Sequence, residues 1–239
     1  MEWPEAFSYV GNDIRKKAFE KFDVEAITKT TLLPGQVKTG YHKQKLTTDY
    51  YIFIFADRED KEKQGSFCCG IHASKGWFDL NGQEPQDIAS YNPLTGENSG
   101  EKGSLGTRST SAINQPKANK EKKQLINILQ TYIALTDSIT NTMSGESTAV
   151  KILKKLIAKP LNPPDRSEVR AVNTLLYKTF NNIKYKQHNI TSYSELVIFK
   201  EDSLKITIRK IPVEHFNEII ENSRESNHSD YVYRTPCSF

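Results

Sequence analysis

The chain has few cysteines and no long apolar run. Its 239 residues include only Cys68, Cys69 and Cys237, and the first two are adjacent. Neighbouring residues of a strand point to opposite faces, so this spacing predicts neither a disulfide framework nor a cysteine metal site. It favours a reducing, cytoplasmic setting. No apolar stretch approaches bilayer-spanning length, and residues 1–13 lack the regions of a signal peptide. We therefore expect a cytoplasmic protein with no membrane partner.

The sequence also lacks histidine spacings typical of metal sites and a strong excess of one charge. The five histidines include no pair four residues apart, and none stands at metal-ligand spacing from a cysteine. The common zinc-binding patterns are therefore excluded. The net charge of the chain is only +4, which by itself gives a mild preference for anionic partners.

Two strand-like runs dominate what is present. Tyr50–Ala56 is apolar, aromatic and β-branched, and Gly65–Ala73 is a second such run. The charged segment Asp57–Gln64 separates them, which is typical of a β-hairpin. Almost every residue of the first run is large and apolar, so we expect that strand to be buried on both faces.

The flanking patterns predict an α+β fold in which helices pack on this central antiparallel hairpin. Before the hairpin we expect a helix from about Asp13 to Phe22 and a strand from Phe22 to Leu33. After it, Trp77–Leu80 resembles a short strand. A long irregular loop follows, because Gly, Ser, Asn, Pro and Thr dominate with few apolar anchors.

The second half of the chain is mainly helical. Apolar residues at helical spacing predict two helices, Lys120–Met143 and Ser147–Lys159, and a third that begins at Asp165 or Ser167. A terminal β-hairpin of Ser194–Phe199 and Leu204–Ile211 and a helix from Val213 to Ser223 complete the prediction. The predicted organisation is a β-rich half over 1–95, a flexible linker over 96–118, and a helical half over 119–239 with the terminal hairpin and helix.

Basic residues concentrate in these helices. Twelve basic and five acidic residues lie between positions 119 and 186. A row of lysines opposite an apolar face is what binding to a phosphate backbone would use. The candidate nucleic-acid-binding residues are Lys151, Lys154, Lys155, Lys159, Arg166 and Arg170. The alternative is an ordinary solvated helix face, since lysine is a good helix former.

A second pattern suggests nuclease chemistry. Metal-dependent nucleases use carboxylates to hold a divalent cation near the scissile phosphate and a lysine to orient water or stabilise charge. The predicted first strand carries Asp23, Glu25 and Lys29 beside a hydrophobic core strand. This order resembles the PD-(D/E)xK nuclease arrangement, although three residues separate Glu25 from Lys29 where that motif has one. The resemblance implies catalysis by Asp23, Glu25 and Lys29, with Mg²⁺ held by Asp23 and Glu25. Glu59-Asp60-Lys61 has the acid-x-Lys spacing but falls in the predicted hairpin turn.

Two hypotheses follow. The first is a protein that binds DNA or RNA, with a metal-dependent nuclease of a bacterial defence or mobile-element system as its catalytic form. The second is a non-catalytic interaction protein, such as an effector, a phage-encoded or a regulatory component. In that case the loop 82–118 would be a docking segment that orders on a protein partner. Binding that weakens steeply with salt would favour the first hypothesis.

Overall fold

A computed structural model describes Phe7 and residues 11–99, 118–136, 147–225 and 235–239. Most of the predicted 96–118 linker and the end of the predicted Lys120–Met143 helix lie outside these residues. The described strands are β1 Phe22–Thr30, β2 Lys38–Thr39, β3 Lys45–Leu46, β4 Tyr50–Asp57, β5 Gln64–Gly70, β6 Ser90–Tyr91 and β7 Asn98–Ser99. The described α-helices are α1 Asn12–Lys21, α2 Ile71–Asn81, α3 Lys120–Thr136, α4 Thr148–Ala158, α5 Arg166–Phe180, α6 Ile183–Lys186, α7 Tyr193–Leu204 and α8 Glu214–Glu225.

Strand β4 lies inside the main sheet. It pairs antiparallel with β1 on one edge and with β5 on the other. The five-stranded sheet has the order β5–β4–β1–β6–β7, with β6 parallel to β1, and β2 and β3 form a separate small hairpin. Every residue of β4 except Ala56 is buried. The predicted α+β class, the central hairpin and the burial of its first strand on both faces are confirmed.

One face of the sheet packs an aromatic cluster. Phe53 of β4 stacks on its cross-strand partner Phe67, with the ring centroids 5.1 Å apart. Trp77 of α2 and Phe7 belong to the same cluster, and their ring centroids are 5.6 Å apart. Helices α1 and α2 contact this face of the sheet, so the predicted first helix forms one layer of the fold together with α2.

The other face packs a larger, mainly aliphatic cluster. Ile52 and Ile54 alternate with the aromatic residues of β4 and so point to this side. Helices α3 and α4 contact β1 here, α5 packs on both of them, and α8 packs on α5. The adjacent Cys68 and Cys69 belong to opposite clusters, as their spacing predicts.

The aliphatic cluster unites residues from both ends of the chain. It includes Ile27 and Ile52 from the sheet together with Leu125 and Leu176 from the helices. Sequence segments on either side of the 96–118 stretch therefore share one core. The domain boundaries that the sequence suggested stay a prediction. Within the described residues, none of the helices has the length and apolar character needed to cross a bilayer.

The segment after β5 differs from the prediction. The sequence suggested a strand that continues to Ala73 and a short strand at Trp77–Leu80, but these residues belong to α2. Two buried residues of α2, Trp77 and Phe78, lie three and four positions after the buried Ser74, which places all three on one helix face. Gly82 ends the helix in a left-handed conformation at φ 70°, and its N–H bonds the Phe78 carbonyl.

The predicted terminal β-hairpin of Ser194–Phe199 and Leu204–Ile211 is wrong. The first of these segments lies in α7, which begins with a capping box. In this motif the Ser192 hydroxyl accepts from the Glu195 N–H, and the Glu195 carboxylate accepts from the Ser192 N–H. This cap satisfies exposed N–H groups at the helix start and outweighs the β-branched residues that suggested a strand.

Among the described residues, the second segment of that hairpin pairs with no strand. Lys205 ends α7 in a left-handed conformation with φ 54°. The chain then runs extended and uses other hydrogen bonds, from the Ile208 N–H to the Glu201 carboxylate and from the Arg209 N–H to the Pro93 carbonyl, both at 2.7 Å. The alternating pattern therefore reflects the burial of Ile208 against the aliphatic cluster.

We predict that Phe53→Ala lowers the free energy of unfolding by about 3 to 5 kcal/mol, because Phe53 is fully buried and truncation leaves a cavity. Urea denaturation measures this loss. The control is Val37→Ala, at a position that is 61% exposed, where we expect a change within about 0.5 kcal/mol. Equal midpoints for the two variants would show that β4 does not organise the fold.

Candidate nucleic-acid interface

Helix α4 packs one face on the core and exposes lysines on the opposite face. Ser147 caps the helix, because its hydroxyl accepts a hydrogen bond from the Val150 N–H at 3.3 Å. Leu153 is fully buried in the aliphatic cluster and holds the helix against the sheet. Lys151 and Lys155 are four residues apart on the exposed side of the helix, so their ammonium groups lie along one face.

Helix α5 begins with a second capping box. The Asp165 carboxylate accepts from the Glu168 N–H, and the Glu168 carboxylate accepts from the Asp165 N–H, each at 2.9 Å. A hydrogen bond from the Ser167 hydroxyl lowers the pKa of the Asp165 carboxyl. Because both Asp165 carboxylate interactions are local, this acid acts as a cap at the helix start.

A groove of about 880 Å³ runs between α4 and α5, and we call it the α4–α5 groove. Lys151 and Lys155 line it from α4, and Arg170 and Lys178 line it from α5. The last two are eight residues apart, which places them near one face of their helix. Two helices therefore bring four basic side chains, three of them predicted to bind nucleic acid, to one depression of the surface.

The bottom of the groove is apolar. Ile152 and Leu156 of α4 are buried there, and Ala171 and Leu175 of α5 are half-buried. Tyr185 of α6 also lines the groove. The lysines are exposed and the aliphatic residues are not, so the groove has basic edges above an apolar floor.

A buried ion pair neutralises the acid in the groove. Among the described residues that line it, Glu168 is the only carboxylate. Its side chain accepts a hydrogen bond from Lys122 of α3, whose side chain is only 2% exposed. The negative charge of Glu168 is therefore balanced from beneath, and the groove keeps a basic character.

The remaining predicted basic residues lie outside the groove lining. Lys154 forms an ion pair with Glu25 of β1 at 2.7 Å, with both side chains about half exposed. That pairing offsets part of its charge. Lys159 and Arg166 are exposed at the end of α4 and at the start of α5. Their role in binding stays a prediction.

The predicted catalytic residues are each held in separate ion pairs. Asp23 is exposed and pairs with Lys61 at 2.8 Å and with Arg58 at 3.0 Å. The hydrogen bond from Lys61 lowers the pKa of the Asp23 carboxyl. Glu25 is on the same side of β1 but is engaged by Lys154 of α4.

A β-bulge separates Lys29 from these carboxylates. Glu25 pairs with Ile54, whereas the register shifts between Ala26 and Thr28, so that Ile27 is the extra residue. Lys29 then pairs with Tyr51, which faces the aromatic cluster, while Ile54 faces the aliphatic one. Without the bulge, positions 25 and 29 would share a face, as the sequence suggested. Lys29 instead forms an ion pair with Asp49 at 2.9 Å.

As arranged, the carboxylates of Asp23 and Glu25 are engaged by cationic side chains, and we derive no catalytic step from them. Arg58 and Lys61 contact the two oxygens of Asp23, and Lys154 contacts Oε2 of Glu25, so a metal ion that takes these oxygens displaces the cations. In the part of the chain that the structure describes, no cluster of three or more His, Cys, Asp or Glu residues could hold a metal ion. The catalytic role of Asp23, Glu25 and Lys29 stays a prediction.

The alternative acid-x-Lys triplet lies in the β4–β5 turn. Lys61 extends to Asp23, and Asp60 pairs with Lys63 at 3.1 Å. The Glu59 and Asp60 N–H groups both bond the buried Asp57 carboxylate, at 3.0 and 3.2 Å. These contacts account for the triplet as the interactions of a charged turn.

Only part of the predicted docking loop 82–118 can be described. Residues 100–117 lie outside the described residues. Residues 82–99 contain a short 3₁₀ helix at Pro85–Asp87 and the small β6–β7 hairpin, which extends the main sheet. The Gly96 N–H bonds the Asn92 carbonyl at 2.8 Å within that hairpin.

Sequence reasoning did not single out Lys178 or the groove itself. A usable signal exists on α5, where Arg170, Thr174 and Lys178 recur every fourth residue and form one face. Nothing local in the sequence shows that this face meets that of Lys151 and Lys155, because the packing angle of α4 on α5 depends on the core beneath them.

No protein-family model, curated protein or solved structure matches the chain.

We predict that Glu168→Gln lowers the free energy of unfolding by about 3 to 5 kcal/mol, because it leaves the Lys122 charge buried without a partner. The double change Lys122→Met with Glu168→Gln removes both charges and should recover most of that loss. Urea denaturation of the single and double variants measures the coupling. The control Glu121→Gln, at an exposed position of α3, should change stability by less than about 0.5 kcal/mol. A Glu168→Gln variant as stable as the control would contradict this account of the ion pair.

Proposed function

We propose that this protein binds DNA or RNA through the α4–α5 groove. One groove brings together four basic residues, Lys151, Lys155, Arg170 and Lys178, and this supports the proposal. The only described acid that lines the groove, Glu168, is paired with Lys122. Lysine and arginine side chains neutralise phosphates and release their counterions, which is the main source of affinity in non-specific nucleic-acid binding. The proposal keeps the cytoplasmic setting that the cysteines suggest.

The proposed interface lies on one side of the main sheet. The groove lies on the helical layer that packs against the aliphatic face, whereas α1 and α2 lie on the aromatic face. Lys16 and Lys17 of α1 are exposed on that other layer. They supply a control of equal charge at a place where we expect no phosphate contact.

We predict that Lys151→Gln with Lys155→Gln makes the negative slope of log affinity against log salt shallower by about 1.4 to 1.8, because each phosphate contact contributes about 0.7 to 0.9 to its magnitude. Fluorescence anisotropy with labelled DNA and RNA across a salt series measures the slope. Lys16→Gln with Lys17→Gln makes the same change in net charge and should leave the slope near that of the parent. Equal slopes for the two double variants, or no binding by the parent at low salt, would contradict the proposal.

The nuclease form of the hypothesis remains a separate proposal. A nuclease that uses Asp23 and Glu25 would cleave DNA or RNA with Mg²⁺ and not with EDTA, and the change of both residues to their amides would abolish cleavage. Cleavage that persists in the amide variant would rule out this pair. Neither result affects the binding proposal, because Asp23 and Glu25 lie on β1 and the groove lies between α4 and α5.

A second candidate function is docking of an acidic protein segment, as expected of an effector, phage-encoded or regulatory protein. The apolar floor favours it, because an amphipathic helix could lay its apolar face on Ile152 and Leu175 and its acids against the basic edges. Protein interfaces are, however, depleted in lysine, and three of the four basic residues of the groove are lysines. Nucleic acid therefore remains the first proposal.

A further inference from the structure

The α4–α5 groove combines two features that a bound nucleic acid must satisfy together. Its edges carry three exposed lysines and the half-buried Arg170. Its floor presents the half-buried Ala171 and Leu175 to solvent, above the fully buried Leu156. A phosphate backbone satisfies only the edges. A less polar part of the ligand has to cover the floor, because an apolar surface contributes to the free energy of binding only when it is removed from water.

The dimensions of the groove limit what can enter it. The axes of two packed helices lie about 8 to 10 Å apart, so the depression between them accepts one strand or one row of side groups. A duplex is bounded by its two backbones and keeps its bases paired inside, so it could reach the lysines at the edges but not the floor.

A single strand satisfies both features. Its unpaired bases expose flat, weakly polar faces that bind to apolar and aromatic side chains, while its phosphates remain free to follow a row of cations. On this basis, and resting on the proposed function, we propose that the α4–α5 groove is a binding site for single-stranded nucleic acid. Bases lie on Ile152, Ala171 and Leu175, and phosphates contact Lys151, Lys155, Arg170 and Lys178.

Charge complementarity favours this occupant over an acidic helix. Lys159 and Arg166 add two exposed cations to the same two helices, at the end of α4 and at the start of α5. The tracking of a backbone along successive cations is the arrangement used by proteins that bind single strands.

The test compares four labelled probes with the parent protein. Three are nucleic acids of about 12 nucleotides, a length within the known range of single-strand site sizes: a mixed-sequence strand, its blunt duplex and an abasic strand of equal charge. The fourth is an acidic amphipathic peptide. We expect the strand to bind at least about tenfold more tightly than both the duplex and the abasic strand, since the floor contacts bases.

A floor variant gives an independent readout. Leu175→Gln should weaken binding of the normal strand and leave binding of the abasic strand unchanged, because only the former uses the floor. Leu161→Gln, at a position that is 49% exposed outside the groove, is the matched control and should change neither. If Leu175→Gln unfolds the chain, the comparison of probes on the parent still decides the question.

The outcomes separate this inference from the function on which it rests. If the duplex or the abasic strand binds as tightly as the normal strand, while Lys151→Gln with Lys155→Gln still flattens the salt dependence, the single-strand inference is overturned and nucleic-acid binding stands. If no nucleic acid binds at low salt, both fall. If only the acidic peptide binds, both also fall and the protein-docking function replaces them.

Discussion

The fold is organised around strand β4, which is buried on both faces. Tyr51 and Phe53 point to one side of the sheet and Ile52 and Ile54 to the other, and none of these four is more than 6% exposed. A strand of this kind is stable only between two layers, because each exposed large side chain would forfeit about 1.5 to 3 kcal/mol of burial free energy. Helices α1 and α2 form one layer, and α3, α4 and α5 belong to the other. The core of the second layer fixes α4 and α5 side by side and so forms the α4–α5 groove.

The main elements of this fold could be predicted from the sequence, because the patterns that indicate them are local. The apolar run of β4, the charged turn after it, and the periodic residues of α3, α4 and α5 each predict their element from a short window. Two helices, α2 and α7, were predicted as strands because local signals compete in them. In α7 the β-branched residues near Val197 favour a strand, but the Ser192–Glu195 capping box starts a helix. In α2 the aromatic pair Trp77-Phe78 also resembles a strand.

The candidate site was less predictable, because it depends on where separate elements meet. Helical spacing showed that Lys151 and Lys155 share a face, but the partnership of that face with Arg170 and Lys178 follows from tertiary packing. The same limit applies to the predicted catalytic residues. One extra residue at Ile27 moves Lys29 to the other side of the sheet, and a bulge of this kind leaves little trace in the sequence.

If nucleic acid lies in the α4–α5 groove, a bound strand shields the lysines that line it, and lysine footprinting measures this shielding residue by residue. Acetylation rates of single lysines, read by mass spectrometry with and without a bound strand of about 12 nucleotides, report which ammonium groups are shielded. We expect slower modification of Lys151, Lys155 and Lys178, with Lys16 and Lys17 unchanged. Acetylation rates that are the same with and without a bound strand, or protection confined to lysines of α1, would contradict binding in the groove.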